Sequence, residues 1–262
     1  MNNTVLTIIG FSVIFLATTL GAALVFFFKK EISDGMNTLF LGFAAGIMLA
    51  ASVWSLLIPS IEGAADYGVW KFIPAATGFI AGGAFLVVLD LIAQRVYPEK
   101  GASAENTVQQ VKPFKMFLAM TIHNVPEGLA VGFAFGGASG AGTAEASFVA
   151  LWLAIGIAVQ NFPEGAAVSL PLKSVYGSNL KSFAFGAGSG AVEPIAAAIG
   201  FLLATTLSAA QPWLLSFAAG AMVFVVVEDI IPDAKYAKKP HLGTWSAMFG
   251  FAIMMVLDVA MG

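Results

Sequence analysis

The sequence contains no cysteine and only two histidines, and Asp, Glu, Lys and Arg make up just 10% of its 262 residues. The missing cysteines exclude disulfide bonds and thiolate metal sites. Soluble domains carry about 25% charged residues, so a chain with this little charge has too few polar groups to cover its surface in water. The scarcity of charge therefore excludes an ordinary soluble globular domain and points to lipid as the solvent.

Apolar residues take the place of the missing charges: they form 59% of the chain, and the mean hydropathy is +0.89. A helix that crosses the hydrocarbon core needs about 20 apolar residues, so this length accommodates roughly seven to nine spans and no soluble domain. We predict a single transmembrane transporter domain over residues 1–262. The net charge of −3 does not favour one function over another for a membrane protein.

Breaks in the apolar pattern predict an all-α protein with eight transmembrane helices. Lys29-Lys30-Glu31 ends the first span, and Arg95 to Lys112 forms the single long polar loop. The first span follows Met1-Asn2-Asn3, which lacks basic residues, and it is too long for a signal-peptide core, so we expect it to be retained. The predicted spans cover residues 4–28, 36–61, 72–93, 113–137, 146–171, 181–206, 212–232 and 243–261.

The Lys and Arg residues divide unevenly between the two sides of this arrangement. Eleven of the 12 lie in the loops of one side, and Lys71 alone lies on the other. The positive-inside rule places the basic side in the cytoplasm and therefore both termini outside the cell (inner or plasma) membrane. With an odd number of missed or extra spans, the later loops would change sides and the Lys and Arg residues would be divided between both sides.

Two segments of the chain repeat at a distance. Phe43-Ala44-Ala45-Gly46-Ile47-Met48 in span 2 recurs as Phe217-Ala218-Ala219-Gly220-Ala221-Met222 in span 7, and each copy precedes an Ile-Pro pair that ends in Pro59 or Pro232. Val88-Leu89-Asp90 in span 3 recurs as Val256-Leu257-Asp258 in span 8. Spans 2 and 7 would run in opposite directions, so spans 1–3 and 6–8 are predicted to form an inverted repeat, as in many secondary transporters.

The central spans carry a second kind of repeat. His123-Asn124-Val125-Pro126-Glu127-Gly128 in span 4 recurs as Gln160-Asn161-Phe162-Pro163-Glu164-Gly165 in span 5. The acid follows the His or Gln by four residues and the Asn by three, so all three side chains fall on one face of each helix. Each proline removes a backbone hydrogen bond and is expected to kink its helix at the level of these polar groups.

This constellation of polar side chains predicts a metal site. A carboxylate in mid-bilayer is unfavourable by at least about 2.5 kcal/mol, so Glu127 and Glu164 need compensation. Glu193-Pro194 places a third acid beside a predicted kink in the middle of span 6. An isolated Asn or Gln in a membrane helix usually joins helices through hydrogen bonds, but three glutamates at one depth would repel each other without a cation. Imidazole and oxygen ligands suit Zn²⁺, Fe²⁺, Mn²⁺, Co²⁺ or Cd²⁺.

The remaining intramembrane acids lie near span ends and outline a possible cation path. Asp90, Glu228 and Asp229 are predicted on the inner side, with Asp233 just beyond them. Glu62, Asp66 and Asp258 are predicted on the outer side. The simpler interpretation, that such acids are merely solvated, stays open for both groups.

The paired motifs resemble the two signature motifs of the ZIP family of divalent metal transporters, in particular its bacterial GufA-like branch. The resemblance covers essentially the whole chain and implies eight spans in a 3+2+3 arrangement, a two-metal centre, a homodimer and uptake toward the cytoplasm. It assigns the metal to seven residues: His123, Asn124, Glu127, Gln160, Asn161, Glu164 and Glu193. It also suggests that spans 1, 4, 5 and 6 slide against spans 2, 3, 7 and 8 during transport. A rocking movement of the two groups of spans would also expose the metal to each side in turn.

This sequence departs from the family pattern at three positions. Many relatives have histidine where Gln160 stands or aspartate where Asn161 stands, so the second metal position is in doubt and the choice between Zn²⁺ and Fe²⁺ or Mn²⁺ stays open. Glu228 stands where histidine is common, which predicts a harder, all-oxygen exit. The loop between spans 3 and 4 has no histidine, which argues against metal sensing there.

The function predicted from the sequence is secondary transport of a divalent metal, with no enzyme activity and no organic cofactor. The sequence has no phosphate-binding loop, so the metal gradient or the membrane potential would supply the energy. An intramembrane metallohydrolase would need a metal-activated water and a base, yet His123 is the only predicted membrane histidine. Two further functions stay open: a non-transporting structural subunit, and a carrier of protons or alkali cations.

Overall fold

The computed structural model describes residues 2–28, 33–96, 105–232 and 240–261, and these ranges contain helices and no β-strand. Its α-helices are α1 Asn3–Ala23, α2 Asp34–Ala51, α3 Ile58–Gly63, α4 Phe72–Val96, α5 Glu105–Ala141, α6 Ala144–Tyr176, α7 Asn179–Gly190, α8 Val192–Thr206, α9 Gln211–Val225 and α10 Pro240–Met261. Short 3₁₀ turns lie at Leu24–Phe26, Ala65–Trp70 and Ser208–Ala210.

Seven segments in the described ranges are long and apolar enough to cross a membrane. They are Asn3–Phe26, Asp34–Gly63, Phe72–Ile92, Ala144–Leu170, Asn179–Thr206, Ser208–Ile230 and His241–Ala260. Large apolar side chains such as Ile8, Ile80 and Val259 point outward from three of these segments. A polypeptide with this many apolar helices and an apolar exterior is a multi-pass membrane protein.

Polar residues at the helix ends explain where several helices begin and stop. The Thr143 hydroxyl accepts a hydrogen bond from the Ala146 backbone N–H at the start of α6, and Ser178 does the same for Lys181 at the start of α7. Gly177 ends α6 in the left-handed conformation, with φ at 61°. The turn between α6 and α7 is thus encoded by residues 177 and 178.

Two helices widen into a π-helical turn immediately after the repeated segment. The turn at Ser52–Leu57 follows α2, and the turn at Val226–Ile230 follows α9. A π-turn inserts an extra residue and so changes which side chains face the neighbouring helices. In both turns a polar residue contacts a polar group of another helix: Ser55 donates to Asp258, and Asp229 meets His123.

The helices associate in four close pairs: α1 with α6, α5 with α8, α2 with α10 and α4 with α9. Glycines permit these approaches. A Cβ on Gly46 would collide with the Ala247 carbonyl, and one on Gly220 would collide with the Phe79 carbonyl. Small residues that let backbones touch are typical of helix packing in membranes.

The pairs assemble into two bundles. The first bundle contains α1, α5, α6, α7 and α8, and the second contains α2, α3, α4, α9 and α10. The bundles touch each other mostly through α2 against α6 and α5 against α9. The long helices α5 and α6 therefore lie at the centre, between the outer helices of both bundles.

One local prediction was wrong, and another is now located. The polar loop predicted over residues 95–112 is shorter, because α4 extends to Val96 and α5 already begins at Glu105. Glu193 was expected beside a kink in the middle of span 6, and the helix is interrupted there: α7 ends at Gly190 and α8 begins at Val192, within the single membrane-length segment Asn179–Thr206. Pro194 has no backbone N–H to donate to the Gly190 carbonyl, which accounts for the interruption.

Candidate metal centre

The facing sides of α5 and α6 carry the polar residues of the paired motif into the interior. Both helices run without interruption through Pro126 and Pro163. Six of the seven predicted site residues are buried: Asn124, Glu127, Gln160, Asn161, Glu164 and Glu193. The motif glycines allow close packing behind them, since Gly128 touches the backbone of Glu193 and Gly165 touches that of Thr18.

The three carboxamides direct their nitrogens toward protein acceptors. The Asn124 Nδ2 donates to the Ser189 carbonyl at 2.8 Å. The Gln160 Nε2 donates to Glu127 Oε1 at 2.8 Å, and the Asn161 Nδ2 donates to Glu193 Oε2 at 2.7 Å. Each hydrogen bond fixes which end of the amide is the donor, so the oxygen of each amide is turned the other way.

Five buried oxygens of α5 and α6 accept no hydrogen bond from any residue that the structure describes. They are Asn124 Oδ1, Glu127 Oε2, Gln160 Oε1, Asn161 Oδ1 and Glu164 Oε1. Buried polar atoms are normally paired, and an unpaired one is unfavourable by about 1–3 kcal/mol. All five atoms are acceptors that need positive charge or a donor, which is the chemistry of a cation site with hard ligands.

The three buried glutamates do not share one environment. Glu193 lies in the first turn of α8, and its Oε1 accepts a hydrogen bond from the Thr18 hydroxyl at 2.7 Å. With Asn161 on Oε2, both of its oxygens are bonded, whereas Glu127 and Glu164 each keep one unpaired oxygen.

Thr18 is a site residue that the sequence interpretation missed. It is buried on α1 and joins α1 to α8 through Glu193. A weak signal for it existed: when Phe43 is aligned with Phe217, Thr18 falls within one residue of the counterpart of Glu193. A threonine in a membrane helix is uncharged, and its hydroxyl can bond its own backbone. Its presence in the sequence therefore does not by itself predict a site.

No three Asp, Glu or His side chains in the described ranges lie together closely enough to form a metal cluster by themselves. The acids and the single nearby imidazole are too dispersed for that. The unpaired oxygens available on α5 and α6 are mixed, since two belong to carboxylates and three to carboxamides.

His123 faces a different partner from the rest of the motif. Its Nε2 lies 3.0 Å from Asp229 Oδ2, which the π-turn after α9 carries across from the second bundle. Both residues line a cavity of about 280 Å³ at the ends of α4 and α9. The same cavity is lined by Asp90 and Glu228, so the three acids predicted on the inner path all border the cavity that His123 also lines.

The acids predicted on the outer path are not brought together in this way. Glu62 and Asp66 are exposed near the end of α3, away from the cavity. Asp258 is partly buried and accepts a hydrogen bond from Ser55. Asp233 lies outside the described residues.

The comparisons with known proteins agree with one another. A family model described as ZIP Zinc transporter matches residues 109–258. The chain is 37% identical over 327 aligned positions to the Zinc transporter ZIP11 of Homo sapiens, covering 94% of each. It is 33% identical over 249 positions to the Zinc transporter GufA of Myxococcus xanthus, covering 94% of this chain and 95% of that one. It is 32% identical over 258 positions to the Zinc transporter ZIPB of Bordetella bronchiseptica, covering 97% and 81%.

Proposed function

Because this chain belongs to the ZIP zinc transporter family, we propose that it is a secondary transporter that carries divalent metal cations, Zn²⁺ first among them, across a membrane. The relatives are named as zinc transporters. The expectation of a ZIP-type metal transporter rests on the paired motifs of α5 and α6, and the family comparison confirms that expectation.

The observation that carries the proposal is the set of five buried, unpaired oxygens on α5 and α6. Two of them belong to glutamates in the interior of a membrane protein, where each ionised carboxylate is unfavourable by at least about 2.5 kcal/mol. A divalent cation would neutralise both glutamates and would satisfy all five acceptors at once. A monovalent cation would leave one negative charge buried, so the charge count favours a divalent substrate.

The proposed route joins this centre to the cavity at the ends of α4 and α9. His123 stands between the two, because it belongs to the motif of α5 and contacts Asp229 in the cavity. A cation released from the centre would next meet His123, Asp90, Glu228 and Asp229. If the basic loops are cytoplasmic, this cavity is the inner exit and transport runs toward the cytoplasm.

The proposal includes an eighth membrane span within α5, which is 37 residues long and carries three of the predicted ligands. It also includes the 3+2+3 arrangement. In that arrangement the repeat relates span 1 to span 6, span 2 to span 7, span 3 to span 8 and span 4 to span 5. The repeat therefore relates the packing of α1 on α6 to that of α8 on α5, and the packing of α2 on α10 to that of α9 on α4. All four of these helix pairs are closely packed. The same relation links the two π-turns with each other, which supports an inverted repeat.

Transport would require the two bundles to move relative to each other, by rocking or sliding, so that the centre faces each side in turn. The metal gradient or the membrane potential would drive this movement, at about 2.3 kcal/mol per charge per 100 mV. A homodimer, a location in the cell (inner or plasma) membrane, termini outside and one domain spanning residues 1–262 are further parts of the proposal. The additional metals Fe²⁺, Mn²⁺, Co²⁺ and Cd²⁺ stay predictions.

The proposal is tested by metal uptake into proteoliposomes. Glu127→Ala and Glu164→Ala should each lower Zn²⁺ uptake by about 100-fold or more, because removing one member of a buried, charge-compensated group costs about 3–5 kcal/mol. Glu145→Ala is the matched control, since Glu145 lies exposed in the first turn of α6, the helix that also carries Glu164.

Glu145→Ala should transport like the wild type. Wild-type uptake rates in Glu127→Ala or Glu164→Ala, with comparable protein in the vesicles, would contradict the proposed site. Competition by Cd²⁺ but not by a large excess of Na⁺ or K⁺ would separate a divalent carrier from a carrier of alkali cations.

A further inference from the structure

The helices α5 and α9 join the two bundles at two places. At one end, the Nε2 of His123 on α5 lies 3.0 Å from the Oδ2 of Asp229, in the π-turn after α9, beside the cavity of about 280 Å³. At the other end, the side chain of Gln211, the first residue of α9, lies against Gly137 of α5. Residue numbers rise along α5 and fall along α9 between these contacts, so the two helices run antiparallel. A cavity at one end of this helix pair is therefore matched by a close contact at the other.

The contact at Gly137 differs from most glycine contacts of this protein. An added Cβ on Gly137 would collide with the Gln211 amide nitrogen and would lie 2.8 Å from the Gln211 Cδ. Among the glycines that the structure describes, only Gly137 and Gly156 would meet the other bundle first, since Gly156 would meet the thioether of Met254. The remaining glycine collisions are with atoms of the same bundle. Gly137 is thus one of two glycines that let the bundles approach each other.

Gly137 has no other packing role in α5. Adjacent residues of a helix point about 100° apart, and the neighbouring Gly136 already faces Ala204 of α8, in the same bundle. Glycine weakens a helix relative to alanine, so a glycine inside α5 indicates a packing requirement at its own position. At Gly137 that requirement is the Gln211 amide, which fits because no Cβ projects toward it.

The contact is made by a side chain, which lets it open. Within one bundle, Gly46 meets the carbonyl of Ala247, and such backbone contacts hold two helices together. The Gln211 amide lies at the end of a flexible side chain, so it can leave Gly137 when the bundles separate, without breaking any hydrogen bond inside a helix. A contact of this kind suits an interface that is closed in one state and open in another.

The contact also lies away from the proposed centre. Gly137 follows Glu127 by ten residues, which is about 15 Å along a helix at 1.5 Å per residue. Gly156, by comparison, precedes Gln160 by only four residues, so a change there would disturb the surroundings of the centre. Gly137 is therefore the position at which the contact between the bundles can be altered while the buried acids and amides stay in place.

We propose that the Gln211 side chain against Gly137 (the outer contact) closes the end of the α5–α9 pair opposite the cavity, and that it separates when the centre opens toward that end. The inference rests on the proposed function, because it assigns the outer contact to one state of the transport cycle. With the outer contact made, the cavity beside His123 is the way out of the centre. With it broken, the opposite end becomes the entrance, which faces outside if the basic loops are cytoplasmic.

Disulfide trapping tests whether the outer contact must open. The natural chain has no cysteine, so a variant with both Gly137→Cys and Gln211→Cys carries no other thiol. The shorter side chain at position 211 makes room for the Cβ at position 137. Oxidation in proteoliposomes should link the two cysteines, as mass spectrometry of the linked peptides checks, and should abolish Zn²⁺ uptake, because a disulfide keeps the two backbones together. A reducing agent should restore uptake.

The matched control combines Gly140→Cys with Gln211→Cys, since a Cβ on Gly140 meets nothing within 4 Å. This pair should form no disulfide, and its uptake should not respond to the oxidant. Unchanged uptake after the 137–211 disulfide has formed, or failure of that pair to form one, would overturn the inference and leave the proposed function intact. A wild-type protein without Zn²⁺ uptake would overturn the proposed function itself.

Alanine at position 137 tests the same contact without cysteines. The added methyl group would hold Gln211 away from α5, so Gly137→Ala should lower the rate of Zn²⁺ uptake by about tenfold, the size of an ordinary overpacking effect, while the equilibrium affinity for Zn²⁺ measured by dialysis stays unchanged. Adding Gln211→Ala removes the amide that the methyl group meets, so the double variant should regain most of the uptake. A wild-type rate in Gly137→Ala, no recovery in the double variant, or a loss of affinity equal to the loss of rate would overturn the inference.

Discussion

At the scale of single residues, the carboxamides of the proposed centre show how an amide side chain is oriented. An amide can present either a donor or an acceptor, and here each nitrogen is bonded to a protein oxygen while each amide oxygen stays unpaired. The sequence placed these amides on the correct helix faces, because the three- and four-residue spacing fixes the face. It could not give their orientation, which depends on acceptors of other helices: Ser189, Glu127 and Glu193.

His123 provides a prediction at the same scale. Its imidazole contacts Asp229 at the cavity, and its nitrogens are not among the five unpaired atoms of the centre. His123→Gln should therefore lower the maximal rate of Zn²⁺ uptake more than it lowers the equilibrium affinity for Zn²⁺. Comparing uptake rates in proteoliposomes with dialysis of the same preparation checks this.

The control for His123→Gln is His241→Gln, because His241 is the only other histidine and lies exposed at the start of α10. This variant should change neither quantity. A loss of affinity in His123→Gln as large as its loss of rate would place the imidazole in the centre itself and not on the exit route.

At the scale of elements, glycine contacts hold the helix pairs together. The two repeated segments place Gly46 against the Ala247 carbonyl and Gly220 against the Phe79 carbonyl. Gly46→Ala and Gly220→Ala should each destabilise the fold by about 1–3 kcal/mol, because the added methyl group forces two backbones apart. Thermal unfolding of the detergent-solubilised protein measures the effect.

Gly140→Ala provides the comparison, since an added Cβ there meets nothing within 4 Å. Alanine is also the better helix former, so Gly140→Ala should leave stability unchanged or raise it by up to about 1 kcal/mol. Equal behaviour of all three variants would mean that these crossings do not depend on close backbone contact.

The sequence predicted the helices but not the π-helical turns. Long apolar runs bounded by charged or turn residues located the helices well, and the Phe43 and Phe217 segments pointed to related units. The π-turns at Ser52–Leu57 and Val226–Ile230 were not predicted, because an inserted residue leaves no trace in an apolar pattern. Without the second turn, the contact between Asp229 and His123 could not be foreseen.

At the scale of the whole molecule, the two ends of the protein differ. At one end Asp90 and Asp229 line a cavity that reaches His123. At the position that the proposed repeat relates to it, Ser55 and Asp258 are joined by a hydrogen bond. Under the proposed alternating-access mechanism, this asymmetry corresponds to a state in which the proposed centre communicates with one side of the membrane.

The central claim is that the unpaired oxygens of α5 and α6 hold a divalent cation, and anomalous scattering from crystals of the whole protein soaked in Cd²⁺ tests it most directly. The account predicts one dominant anomalous peak between Glu127 and Glu164, within ligand distance of the Asn124, Gln160 and Asn161 oxygens. A saturated crystal with no peak between these carboxylates, or with these side chains bonded to separate partners, would contradict the account.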